Sequence, residues 1–154
     1  MSVPPAPICG DASMRQDCRV EILNKKWVIP SDLESASKVK DEVLRLVAGE
    51  GYGQAATFAI KLALEEGLNN AIRHGNRGDR SKTVEVMSDI DARKLAITIV
   101  DQGRGFDPQA VPDPTADENL EKPSGRGIML MRAYMDEVRF NPRGNRLYMV
   151  KRNK

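Results

Sequence analysis

Glu66, Asn70 and His74 follow one another at intervals of four residues. On a helix that spacing sets a carboxylate, an amide and an imidazole in one line. The line continues from the small Ala59 and Ala63 and borders an apolar stripe of Ile60, Leu64, Leu68, Ala71 and Ile72, so its polar groups are expected to face a partly buried cavity with room for a ligand. An Asn oxygen is a hard ligand suited to Mg²⁺, and a Glu one turn away can accept a proton. One helix face would then supply a metal ligand and a base. Taken alone, the same spacing also describes a solvated helix flank.

Asp101 is in phase with Leu95, Ile97 and Ile99, so alternation along a strand carries a carboxylate onto the core face. A buried carboxylate needs donors to remain charged, and an adenine amino group would be one. Directly after it, Gln102-Gly103-Arg104-Gly105-Phe106 offers two glycines where backbone can approach a ligand without a Cβ in the way. Further on, Ser124-Gly125-Arg126-Gly127 leads into a helix expected from Ile128 to Met135, and its free N–H groups and positive dipole end favour a triphosphate. Arg104 and Arg126 are within reach of phosphate in such an arrangement, although surface arginines are common. Each pattern is weak by itself. Their order makes them specific: helix with E-x-x-x-N, strand ending in D-x-G-x-G, loop, then G-x-G at a helix.

These residues require particular elements to position them. Ser31-Asp32-Leu33-Glu34 has the spacing of a capping box and predicts a helix from Asp32 to Ala48, with Val39, Val43, Leu46 and Val47 buried. A second helix is expected from Gly53 to His74, closed by Gly75 as a left-handed cap. Arg19 to Ile29 suits a strand or a short hairpin, ended by Pro30. Thr83–Ile90 and Lys94–Asp101 form a hairpin, and Val138–Phe140 and Leu147–Val150 form another. Between Gly103 and Gly127 the prolines and polar breakers predict a long loop. There is no internal repeat.

At 154 residues the chain has room for one domain, read as 18–154 behind a flexible, proline-containing tail at 1–17. Its 24 basic and 22 acidic side chains are interspersed, so no basic stripe points to direct binding of nucleic acid. No apolar run of about 18 residues predicts a membrane span. With no signal-peptide pattern at the start, a cytoplasmic protein is expected. Cys9 and Cys18 lack a metal-like partner set and read as free thiols in a reducing compartment.

Over about Leu33 to Lys151 the chain resembles the GHKL (histidine kinase-like) ATPase superfamily, and within it the anti-sigma factor serine/threonine-protein kinases. Ala63-Leu-Glu-Glu-Gly-Leu-Asn-Asn-Ala-Ile-Arg-His-Gly75 looks like that family's N box, Asp101-Gln-Gly-Arg-Gly105 like its first glycine box, and Ser124 to Val138 like its second glycine box with the helix that follows. The resemblance implies an α/β (α+β) two-layer sandwich, with a mixed, largely antiparallel sheet covered on one face by helices. It implies Mg-ATP held by Asn70, His74, Asp101, Gly103, Gly105, Phe106, Gly125, Arg126, Gly127 and Ile128, with Asn70 on the metal, Asp101 on the adenine amino group and Glu66 as base. A lid at about Phe106 to Ser124 would close over the nucleotide. The implied activity is phosphorylation of serine or threonine on a STAS-type anti-anti-sigma protein, alternating with capture of a sigma factor; a homodimer is compatible with it.

The sequence departs from the family at Asn145-Arg146, where threonines often stand near adenine. A regulatory switch that binds ATP without phosphotransfer is the alternative reading, since one pocket can serve both. A chaperone or repair ATPase would need further domains, and the phosphoacceptor hairpin of sensor kinases has no place in this length, so His74 is not expected to be autophosphorylated.

Overall fold

The computed structural model describes residues 22–104 and 125–154; the expected tail at 1–17, Cys9, Cys18, the start of the first strand and most of the long loop lie outside them. Five strands form one sheet: β1 (Leu23–Pro30), β2 (Thr83–Ile90), β3 (Lys94–Val100), β4 (Glu137–Phe140) and β5 (Arg146–Arg152), in the order β1-β2-β3-β5-β4. The expected sheet is mixed but largely antiparallel, and all four pairings between described strands are antiparallel. The physical reason is connection length. β2–β3 and β4–β5 are hairpins, which reverse the chain, and the helices fill the two longer connections without producing a parallel pair.

Period-two alternation decides which face is buried. Val84, Val86 and Ile90 of β2, Leu95, Ile97 and Ile99 of β3, and Leu147 and Met149 of β5 are all buried on one side. Three helices cover that side: α1 (Leu33–Gly49), α2 (Gln54–Asn69) and α3 (Gly125–Tyr134). They contribute Val39, Val43 and Val47; Ile60, Leu64 and Leu68; and Ile128 and Met131 to one continuous core. Ala59 and Ala63 are buried in this core too, so the line of small residues on α2 serves packing. Gly67 extends the effect, since a Cβ there would stand 2.9 Å from Ile99 Cδ1 and 3.0 Å from Leu147 Cδ2.

Helix boundaries differ from expectation in informative ways. The N-cap of α1 is Asp32, whose carboxylate accepts from the Ser35 N–H at 2.7 Å, whereas the hydroxyl of buried Ser31 donates to the Lys82 carbonyl. The carboxylate one residue on caps the helix, which frees Ser31 for a tertiary bond. α3 starts at Gly125 rather than at Ile128, so the second glycine pair lies within its first turn.

Candidate functional site

All the positioned candidate residues gather at the end of the sheet where β2 begins and β3 ends. The second helix does not stay α-helical as far as His74. At Asn70 it widens into a π turn, Asn70–Gly75, in which the Asn76 N–H reaches the Ala71 carbonyl at 2.8 Å. Such turns are rare and frequently mark functional positions. The chain then reverses through Arg77 and Gly78, at φ of 53° and 70°, so Gly75 is not the left-handed cap. Gly75 is required for space instead. A Cβ there would overlap the Asp101 carboxyl, and one at Gly103 would overlap the Gly75 carbonyl.

Glu66 and Asn70 remain one turn apart and face the first turn of α3. A Cβ on Gly127 would lie 2.7 Å from Glu66 Oε2 and 4.0 Å from Asn70 Oδ1. Gly127 thus brings the first turn of α3 against the carboxylate of Glu66 and the amide of Asn70. The Asn70 amide nitrogen is buried with no hydrogen-bond partner among the described residues. A buried amide left short in this way fits a bound polar group. No cluster of three or more His, Cys, Asp or Glu able to cage a metal occurs among the described residues. One amide oxygen suits Mg²⁺, which keeps several waters and takes its other ligands from phosphate.

Asp101 is 9% exposed, just past the end of β3. Burial pushes its carboxyl up to about 6, against partial opposition from the Gly103 N–H, which it accepts at 2.8 Å, and from the charges of Arg143 and Lys82. Asn145, the departure noted from sequence, brackets the Asp101 backbone. Its carbonyl accepts the Asp101 N–H at 3.0 Å and its side-chain amide donates to the Asp101 carbonyl at 3.3 Å.

His74 stands in the π turn that begins at Asn70. It lines a cavity of about 320 Å³ with Gly75, Arg77, Lys82 and Arg104, a cationic mouth beside Asp101. Arg126 is exposed on α3. Gly105, Phe106 and the expected lid lie outside the described residues.

Two residues that the sequence reading passed over hold the Asp101 loop. Asn76, fully buried, accepts the Gln102 N–H at 2.8 Å and donates to Ser31 Oγ at 2.8 Å and the Thr83 carbonyl at 3.0 Å. Arg143, from the β4–β5 turn, donates to the Gly103 and Arg104 carbonyls at 3.2 Å each. In sequence, Asn76 after a helix end and Arg143 in a Pro-Arg-Gly turn look like ordinary turn residues, so no signal distinguished them.

The chain belongs to the histidine kinase-like ATPase domain family, whose model matches residues 29–151. Among named proteins it is similar to the anti-sigma F factor of Clostridium perfringens, 32% identical over 136 residues that cover 75% of this chain and 96% of that protein. It is also similar to the serine-protein kinase RsbW of Bacillus licheniformis, 33% identical over 98 residues, or 58% of this chain and 59% of that one. The chain thus spans about three-fifths of the length of that relative and of the Oceanobacillus iheyensis RsbW, of which it covers 61%. Among solved structures, the RsbU and RsbW domains of Rv1364c from Mycobacterium tuberculosis share the fold, with a TM-score of 0.59 at 15% identity over 86% of this chain and 32% of that one.

Proposed function

We propose that the chain is an ATP-binding anti-sigma regulator that transfers the γ-phosphoryl group of Mg-ATP to a serine or threonine of a STAS-type anti-anti-sigma protein. The observation that carries this reading is the meeting of Glu66 and Asn70 with the first turn of α3 at Gly127, at the same end of the sheet as buried Asp101. In this reading Asp101 accepts from the adenine amino group, Asn70 holds magnesium, and the N–H groups at Gly125 to Ile128 bind phosphate oxygens. Glu66 takes the proton from the acceptor hydroxyl. Magnesium held by Asn70 would supply positive charge to offset that of the phosphates. The mouth of His74, Arg77, Lys82 and Arg104 suits an anionic ligand.

The names of the similar proteins support a sigma factor as the second partner and, with the absence of a long apolar helix among the described residues, action in the cytoplasm. A homodimer is compatible with this role. The test is calorimetric titration with ATP, with and without Mg²⁺, followed by phosphotransfer from labelled ATP to an anti-anti-sigma protein. Asn70→Ala is expected to remove the magnesium dependence of binding. Glu66→Ala is expected to leave binding within about threefold and abolish transfer. Tight ATP binding without any labelled product would replace the kinase with the switch that binds ATP without transfer; no binding at millimolar ATP would overturn the reading altogether.

A further inference from the structure

We infer that Asn76 is a positioning residue that sets the purine selectivity of the nucleotide site by fixing the loop on which Asp101 stands. The inference rests on the reading of Asp101 as the acceptor for the adenine amino group.

Asn76 is fully buried where three segments meet: the end of the π turn, the corner between β1 and α1, and the entry to β2. Its side chain uses one acceptor and two donor bonds. Oδ1 accepts the Gln102 N–H, and Nδ2 donates to Ser31 Oγ and to the Thr83 carbonyl. The orientation of the amide is chosen by its partners. Ser31 already donates its hydroxyl hydrogen to the Lys82 carbonyl, so both neighbours of Nδ2 present acceptors, and the oxygen must point to Gln102.

Gln102 directly follows Asp101, and its own amide oxygen accepts the Thr83 N–H at 2.7 Å. Asn76 and Thr83 thus grip residue 102 by backbone and by side chain. The next residue, Gly103, donates to the Asp101 carboxylate. With residue 102 held and Gly103 packed against the Gly75 carbonyl, the carboxylate has little freedom to swing from its position. Selectivity for an amino group over an oxygen depends on such fixation. A mobile carboxylate can turn away from a repelling carbonyl, and a clamped one cannot.

The test measures binding of ATP and of inosine triphosphate, which has an oxygen where adenine carries its amino group, to the full chain. Wild type is expected to favour ATP by about tenfold or more, the worth of a hydrogen bond to a charged acceptor. Asn76→Ala should reduce that preference to about twofold. Asn76→Asp keeps an oxygen toward the Gln102 N–H while placing another against the Thr83 carbonyl, so it should lower Tm yet keep the wild-type preference. The core variant Ile60→Val should lower Tm and leave the preference unchanged, which separates positioning from mere loss of stability. A wild-type preference retained in Asn76→Ala, or lost in Asn76→Asp, overturns the inference. If Asn76→Ala does not fold, Asn76→Asp decides alone. A wild type that binds both nucleotides equally would overturn the reading of Asp101 itself.

Discussion

β3 is flanked by two buried aspartates that meet different fates. Asp91, 8% exposed, precedes it, and its carboxylate accepts the N–H groups of Arg93 and Lys94 at 2.7 and 2.9 Å. The Asp91 carbonyl also accepts from the Tyr52 hydroxyl at 2.8 Å. Asp101, 9% exposed, follows the same strand and receives one N–H, from Gly103, while burial raises its pKa to about 6. One turn supplies its own carboxylate with donors. The other leaves its carboxylate under-supplied in a place where charge is costly. A buried polar group kept short of partners has a binding role as its simplest explanation.

The largest effect is expected from backbone crowding at the Asp101 end. Gly103→Ala would drive a Cβ into the Gly75 carbonyl, and backbone on both sides leaves nothing flexible to give way. Denaturant unfolding should show a loss of about 3 kcal/mol or more, and ATP binding should become undetectable. Gly49→Ala, at a helix end with nothing within 4 Å of the added methyl, should be neutral or slightly stabilising. Equal destabilisation by the two would remove the claim that the site end is closely packed for function.

Next in size is Asp101→Asn. The variant keeps an oxygen for Gly103 but loses the charge, so ATP affinity should fall about ten- to a hundredfold. Stability should move the other way. The folded-state pKa of Asp101 is raised from 3.8 to about 6, so its favourable contribution is full below about pH 4 and lost as pH rises through about 6. At pH 7 the wild type therefore carries a cost of up to about 3 kcal/mol, which the variant removes. Thermal melts between pH 4 and 8 check this: wild type should lose stability across pH 4 to 6 relative to Asp101→Asn. ATP binding should strengthen as pH rises through about 6, because the charged carboxylate is the form that accepts the amino group.

Asp91→Ala sharpens the contrast from the other end. Two N–H groups lose their acceptor, costing about 1 to 3 kcal/mol, while ATP affinity should stay within about twofold. If this variant weakened ATP binding as much as Asp101→Asn, the two aspartates would not differ in role.

Much of this division was legible in the sequence. The 3.6-residue stripe of α2 and the alternation through β2 and β3 put Ile60, Leu64, Ile97 and Ile99 in the core, and the same alternation put Asp101 there with them. Glu66, Asn70 and Gly127 were chosen as residue types, and the fold brings them together. The sequence could not show the π turn, because α and π turns draw on the same side chains and differ by one hydrogen-bond step. Nor could it show Asn76 or Arg143. Both act through backbone groups far along the chain, Gln102 and Thr83 for one and Gly103 and Arg104 for the other, and a backbone partner leaves no trace in residue identity.

The smallest expected effect tests how far the Asp101 end depends on distant residues. Arg143 donates two bonds of 3.2 Å to the loop, and its charge helps hold the Asp101 pKa down against burial. Its side chain is largely exposed, so solvent screens much of the interaction. Arg143→Met should therefore weaken ATP binding only about two- to fivefold at pH 8. Near pH 6 the loss should be greater, because removing the cation raises the Asp101 pKa further and leaves less of the charged carboxylate. Binding measured from pH 5.5 to 8 would thus show the midpoint moving upward in the variant. A pH-independent loss would mean that Arg143 acts through loop geometry alone, and no loss at any pH would leave the loop fixed by Asn76 and Gly75 without help from the β4–β5 turn.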